Sequence, residues 1–402
     1  MKKMNIALIS SPWYPVPPHG YGGIELVVGL LAAGLRKRGH QVHLFGAEGS
    51  EDGTIVCAPK EWREDLGRPQ MSRREAAYAG RVYSTLRRLS ETAGPIDIIH
   101  EHSGMVGLLA AQYQRQTPVL HTVHGPLDEG ELTAYESVVD GAGLIAISQN
   151  QRDSAPDLKW VGMVHNAVDV DSLKQGTADT EEPYLLALAR ICPEKGQHMA
   201  VEVAKRAGMK LVLAGKVENT AESIDYFRRM VSPHVDGTNV VHLVNVAGDE
   251  KADLLSHATA MLSPITWPEP FGLSIVEAMA SGTPAIAMNL GAMRELIEDG
   301  RTGFVVEDVD GMVEAVEKAR DLDHVTCAAR ARELYSPDAM VDRYLDVYAD
   351  FIGAAGGAHE VSPATKARGK RAPRQSSAAG AARPRGGDRR LQPERRRGLF
   401  AP

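Results

Sequence analysis

The sequence predicts an α/β protein built from two doubly wound parallel-sheet domains that face each other across a cleft. Three observations lead there. Short aliphatic runs alternate with amphipathic helical patterns; the alternation lapses once near the middle and restarts; and glycines and polar residues recur directly after the runs.

In the first half the strand-length runs are Ile6–Ile9, Val42–Phe45, Ile96–Ile99, Val119–Thr122, Leu144–Ile147 and Met163–Val164. Aliphatic stretches of this length suit strands buried on both faces, as in a parallel sheet. Between the first two, Ile24, Val27, Val28, Leu31 and Leu35 share one helical face, and Gly39 stands where a left-handed cap would end that helix. The periodicity lapses over Gln175–Pro183, which reads as a linker. It resumes with strand Tyr184–Leu188, a helix over Gln197–Ala207, and strands Lys210–Ala214, Val240–Val244 and Met261–Ser263. A helix from Leu273 and strand Ala285–Met288 follow. The expected division is a first domain over residues 1–176, a second over 184–336, a final helix over 337–352 packing back towards the first domain, and a tail over 362–402.

Composition narrows the function. A chain of 402 residues, 43% hydrophobic, can bury two or three cores. Its net charge of −7 argues against a basic nucleic-acid binder. No apolar run reaches the roughly 18 residues of a membrane span. The opening residues have the basic start of a leader, but the apolar run stops after Ile9 and reads as a buried strand. Cys57, Cys192 and Cys327 are too scattered for a disulfide framework or a metal-ligand pattern, so a reducing cytoplasm is expected. The charge is uneven. Ser362–Pro402 holds 12 Lys+Arg and 2 Asp+Glu, whereas the preceding 361 residues hold 33 and 50, a net of −17.

Open parallel sheets bind ligands beyond the carboxyl ends of their strands. The residues there are Gly22-Gly23, His100-Glu101-His102, His121-Thr122-Val123-His124-Gly125, Ser148 with Arg152, and Asn166 in the first half. In the second half they are Arg190, Lys195, Gly215-Lys216, Glu269-Pro270-Phe271-Gly272 and Gly291. In the segment Trp267–Pro284, two prolines hold Glu269 in an extended loop and a helix starts near Gly272. The free N–H groups of its first turn suit an anion such as a diphosphate, and Gly272 lets that ligand come close. Glu277, one turn in, can accept hydrogen bonds from ribose hydroxyls. Ser274-x-x-Glu277 also has the form of a helix capping box.

This segment carries the E-x7-E signature, Glu269 to Glu277, and the sequence resembles the retaining glycosyltransferases of family 4, which have the two-domain, Rossmann-like GT-B fold. The resemblance runs from Met4 to about Ile352 and includes Tyr21-Gly22-Gly23-Ile24-Glu25, His121–Pro126, Ser148-x3-Arg152, Val164–Asp169 and Arg190-x4-Lys195-Gly196. It implies transfer of a sugar from a nucleoside-diphosphate donor, most simply a UDP-sugar, to a hydroxyl acceptor. It also implies that Arg190 and Lys195 clamp the diphosphate and that Glu269 binds the donor sugar's hydroxyls. Phe271, Gly272 and Leu273 would add backbone N–H groups. His124 would sit near the sugar's C6 hydroxyl and reactive centre, and Gly22 and Gly23 would meet the diphosphate or the acceptor. Weaker candidates are His102, Ser148, Arg152, Asn166 and Gly215. Ala167 and Ala292 stand where the family often has glycine, and Glu295 falls where it commonly keeps a glutamate. Acceptor choice is expected in first-domain loops such as Cys57–Arg74. A sugar-nucleotide epimerase, a phosphorylase-like enzyme and a non-catalytic sugar-nucleotide-binding protein are the alternatives.

Three patterns imitate other chemistries. Asp169-Val170-Asp171 and Asp308-Val309-Asp310 match a metal-binding D-x-D motif, but they lie where acidic residues end a domain or cap a helix. Gly20-x-Gly22-x2-Glu25 lacks the third glycine and the tight turn of a dinucleotide fingerprint. The His100/His102 and His121/His124 pairs have no cysteine beside them. No cofactor and no catalytic metal are expected, the nucleotide-sugar being a co-substrate. The Arg-, Ala-, Gly- and Pro-rich tail cannot bury enough apolar surface to offset its ordering entropy. It reads as an anionic-lipid contact at the inner face of the membrane, a loose nucleic-acid contact without specificity, a neutral appendage, or translation past a frameshift. An intact mass matching all 402 residues in the native protein removes the last of these.

Overall fold

The computed structural model describes residues 2–111, 117–138, 142–176 and 182–359. Two parallel sheets organise them. The first holds β1 (Asn5–Ile9), β2 (Gln41–Ala47), β3 (Ile55–Ala58), β4 (Ile98–Glu101), β5 (Val119–Thr122), β6 (Gly143–Ala146) and β7 (Trp160–Met163), in the order β3-β2-β1-β4-β5-β6-β7. The second holds β8 (Tyr184–Leu188), β9 (Lys210–Ala214), β10 (Val240–Leu243), β11 (Ala260–Ser263), β12 (Ala285–Met288) and β13 (Gly303–Val306), in the order β10-β9-β8-β11-β12-β13. In both, the order reverses beside the first strand of the half, and such a switch point opens a crevice at the carboxyl edge.

The period of two along each strand builds a layer on either face of the first sheet. Ile6 and Leu8 of β1 join the core under helix Gly23–Lys37, whereas Ala7 and Ile9 join the core under helix Met71–Thr92. The predicted stripe Val27, Val28, Leu31 and Leu35 is fully buried. One continuous core surrounds the second sheet.

The aliphatic runs at β5, β8, β9 and β12 and the helix Gln197–Ala207 have their predicted limits. Two strands escaped prediction, β3 and β13, and both lie at sheet edges. The stretch Cys57–Arg74 is not a loop. It contains the end of β3, a 3₁₀ turn over Lys60–Asp65 and the start of helix Met71–Thr92. Trp62 anchors it, buried beneath the guanidinium groups of Arg74 and Arg81, which lie 5.1 and 4.7 Å from its ring.

The chain passes from one core to the other earlier than residues 175–183. Val164 and Ala167 pack in the first core and Val168 in the second. Gly176 is already docked there, donating to the Ser281 carbonyl at 2.9 Å. Residues 177–181 of the predicted linker, and the whole basic tail over 362–402, lie outside the described residues.

The final helix, Pro337–His359, returns to the first half and extends beyond the predicted 352. Met340, Val341, Tyr344 and Tyr348 enter the first core. The Tyr344 hydroxyl lies 3.1 Å from Thr122 Oγ1 and the Tyr348 hydroxyl 2.6 Å from His100 Nδ1, so both buried phenols have polar partners. Among the described residues no helix is long and apolar enough to cross a membrane.

Gly34 marks the closest approach of this helix to helix Gly23–Lys37, since a Cβ there would lie 2.5 Å from Val341 Cγ2. Gly34→Leu is expected to destabilise the protein by about 1–3 kcal/mol through overpacking, measured as a lower urea midpoint. Val341→Ala in the same chain should recover part of that loss.

Candidate active site

Two helix N-termini meet between the halves. Helix Gly23–Lys37 begins after Gly22 and helix Leu273–Ala280 after Gly272, and neither cap uses a side chain. Gly22 has φ 152° and Gly272 φ 145°, backbone that a side chain would strain. The first intrahelical bonds are Leu26 N–H to the Gly22 carbonyl and Val276 N–H to that of Gly272. The N–H groups of the first turns therefore have no backbone partner within their helices, and at the first tip the buried Glu25 carboxylate, bound by the Ser11 hydroxyl, already lies beside Gly22. A Cβ on Gly23 would lie 3.1 Å from Leu273 Cδ1, and Leu273 packs against both cores. The Ser274–Glu277 capping box does not form. Phe271 contributes only backbone here, its ring being buried against Tyr335.

Two cations, Arg190 and Lys195, follow β8. Lys195, in the turn Pro193–Lys195, places Nζ 2.7 Å from Glu269 Oε1 and 5.3 Å from the centre of the Trp267 ring. Arg190 pairs with Glu218 and lies within electrostatic range of Tyr21 in the opposing glycine loop. Gly215, after β9, packs so closely on Ala189 that a Cβ would stand 2.0 Å from its carbonyl oxygen. Glu277 is buried and accepts from Lys251 Nζ at 2.6 Å through Oε1. Its Oε2 has no hydrogen-bond partner among the described residues. Sequence reasoning missed Lys251 and Glu218, which read as ordinary surface charges; neither has a local signal, because each meets its partner across more than 20 positions.

Histidines occupy the carboxyl ends of β4 and β5. His102 Nδ1 lies 2.8 Å from His124 Nε2, while His100 bonds Tyr348 and Thr122. Burial holds all of them neutral. It lowers His124 to about 4 and His121 to about 3, and places His100 and His102 well below the usual range. Burial also raises Glu101 to about 7, against hydrogen bonds from Ser103 and Tyr83. His102 Nε2 is buried without a partner.

The remaining candidates are less central. Ser148 is fully buried and caps helix Gln149–Ser154 by accepting from the Gln151 N–H at 3.1 Å. Arg152 is exposed on that helix, and its guanidinium has no partner among the described residues. Asn166 is buried, with Oδ1 unpartnered.

Of the D-x-D pairs, Asp308 caps helix Val309–Ala319 by accepting from the Gly311 N–H at 2.8 Å. One other group among the described residues brings three metal-ligand atoms together: Cys192, Glu194 and Glu218. Its donor set is poor, because burial pushes the Cys192 thiol up to about 12 and Glu218 already pairs with Arg190.

The chain is similar to known proteins along both halves. A family model described as Glycosyltransferase Family 4 matches residues 21–172, and one described as Glycosyl transferases group 1 matches residues 170–331. The D-inositol 3-phosphate glycosyltransferase of Corynebacterium glutamicum is 23% identical over 420 residues, spanning 85% of this chain and 99% of its own. The crystal structure of AviGT4, a glycosyltransferase involved in avilamycin A biosynthesis, aligns with a TM-score of 0.63 at 25% identity, over 87% of this chain and 98% of its own. An Anabaena protein crystallised with UDP and glucose shares the fold, with a TM-score of 0.63 at 17% identity over 86% of this chain and all of its own.

The histidine cluster sets a pH dependence of stability. Four histidines have native values below the ordinary 6.5, so the unfolded chain takes up protons that the native state refuses. Stability is complete above pH 6.5 and falls as pH drops towards 4. Glu101 acts oppositely, its contribution being lost as pH rises through about 7. The net loss below pH 6.5 is expected to reach at most about 4 kcal/mol per pH unit. Urea unfolding at pH 7.0, 6.0 and 5.0 checks it; a constant midpoint would mean the histidines are not buried neutral.

Proposed function

The chain belongs to glycosyltransferase family 4 and has the GT-B fold; from this we propose that it moves a sugar from a UDP-sugar to a hydroxyl acceptor with retention of anomeric configuration. The observation that carries this reading is the glycine-capped helix N-terminus at Gly272, which packs through Leu273 on Gly23 of the first half and follows the loop in which Glu269 pairs with Lys195. A free first turn with cations at hand suits a diphosphate better than a neutral ligand. The UDP and glucose of the Anabaena relative agree with that choice of donor.

In this mechanism the bond between the anomeric carbon and the diphosphate oxygen breaks, and the acceptor oxygen bonds to the same face of the sugar. The acceptor's proton passes to the leaving phosphate oxygen. Negative charge grows on that oxygen as the bond breaks, and Arg190, Lys195 and the first turn at Gly272 stabilise it without a resident metal. In the ligand-free protein Glu218 and Glu269 neutralise the two cations, so the arriving diphosphate takes over part of that role. Lys195 keeps its place through Trp267, and the freed Glu269 accepts hydrogen bonds from the donor sugar's hydroxyls. Lys251 fixes Glu277 through Oε1, leaving Oε2 for ribose. His124, neutral over the physiological range, donates to or accepts from the sugar near its reactive carbon. Closing the halves excludes water and limits donor hydrolysis.

A thermal-shift panel of nucleotide-sugars, followed by product analysis with the best donor, tests the reading. UDP-sugars are expected to stabilise the protein, and the product is expected to keep the donor's anomeric configuration. An inverted product, or donor conversion without acceptor, overturns it. Lys195→Ala and Glu277→Ala should each lower transfer by about 10²-fold or more while circular dichroism stays native. Near-normal rates in both would sink the residue assignments.

A further inference from the structure

Glu295 is the point where the donor loop of the second half grips the first half. It lies on the four-residue helix Met293–Leu296, just after Gly291 and Ala292. The Ala292 N–H donates to the Glu269 carbonyl at 2.9 Å, and a Cβ on Gly291 would stand 2.4 Å from the Glu269 nitrogen. The loops carrying Glu269 and Glu295 thus pack backbone to backbone.

The Glu295 carboxylate is bound from the other side. Both its oxygens lie 2.8 Å from the Gln149 N–H, and Oε2 lies 3.2 Å from the Asn150 N–H. His165 Nε2, just beyond β7, lies 2.5 Å from Oε1. Arg343 of the final helix donates to His165 Nδ1 at 3.2 Å, so Nδ1 accepts and Nε2 carries the proton given to Glu295. The His165 ring also sits 5.9 Å from that of Phe271, in the donor loop itself. Burial alone would raise the carboxyl of Glu295, but hydrogen bonds from His165, Gln149 and Asn150 outweigh it and keep the group ionised.

We propose that Glu295 is a positioning residue for glycosyl transfer: its carboxylate couples the Glu269 loop to Gln149, Asn150 and His165, so that a donor held at Glu269 sets the first half over the reacting sugar. The proposal rests on the glycosyl-transfer reading above. It makes no contact between Glu295 and substrate, so Glu295 governs the chemical step and not the affinity for nucleotide.

The test compares wild type, Glu295→Ala and Glu295→Gln in full-length protein by three readouts: UDP affinity by calorimetry, kcat with the best donor of the panel, and amide exchange at Gln149 and Asn150 with and without UDP. Glu295→Ala is expected to lower kcat about tenfold or more with UDP affinity within about twofold, and to abolish any slowing of Gln149 and Asn150 exchange by UDP. Glu295→Gln should recover part of kcat, because its amide oxygen still accepts from backbone N–H groups. UDP-induced slowing that persists in Glu295→Ala, or affinity and kcat falling together, overturns the coupling. A wild type that does not bind UDP overturns the donor reading instead. Exchange without ligand then decides: about tenfold faster in Glu295→Ala supports the clamp, and an unchanged rate removes it.

Discussion

The candidate site depends on two helices that start at glycines and pack where Leu273 of one meets Gly23 of the other. Gly22 and Gly272 take conformations that a side chain would strain, and Gly23 leaves just enough room for Leu273. Larger residues would separate the tips. Because Gly23 carries no side chain, Leu273 at the start of the second helix can pack against it. In a body whose first 361 residues carry a net charge of −17, a cluster holding Arg190, Lys195 and Lys251 is an exception in its cations.

Carboxylates keep this exception in order. Glu269 holds Lys195 and Glu218 holds Arg190, while Lys251 holds Glu277. An unpaired cation in a half-buried cleft would cost desolvation and would be free to swing; a paired one is fixed in advance. The arrangement also favours a ligand bearing both negative charge and hydroxyls, since it offers a replacement anion for each cation and new donors for each displaced carboxylate.

Much of the fold was legible because its strands are central and parallel. The runs at β5, β8, β9 and β12 are largely aliphatic and of strand length, as strands covered on both faces are. The strands that escaped, β3 and β13, are edge strands of four residues each and partly exposed. The candidate glycine and polar residues could be picked out because they lie in loops that follow strands. What could not be read was pairing. Lys251 meets Glu277, and Glu295 meets His165 and two backbone N–H groups, only because the fold brings distant segments together. Likewise the cap that Ser148 gives helix Gln149–Ser154 could be seen only once that helix was in place.

The return of helix Pro337–His359 to the first half affects how the chain is made. Tyr344 and Tyr348 are fully buried in the core that begins with Ile6, and they partner Thr122 and His100 there. On the ribosome the first half emerges long before those residues do. It must wait, with Thr122 and His100 lacking these partners, through synthesis of the whole second half, about 10–40 s at ordinary elongation rates. The second half has a core of its own and needs no such delay. Synthesis order and folding order are therefore reversed: the half translated first is the half completed last.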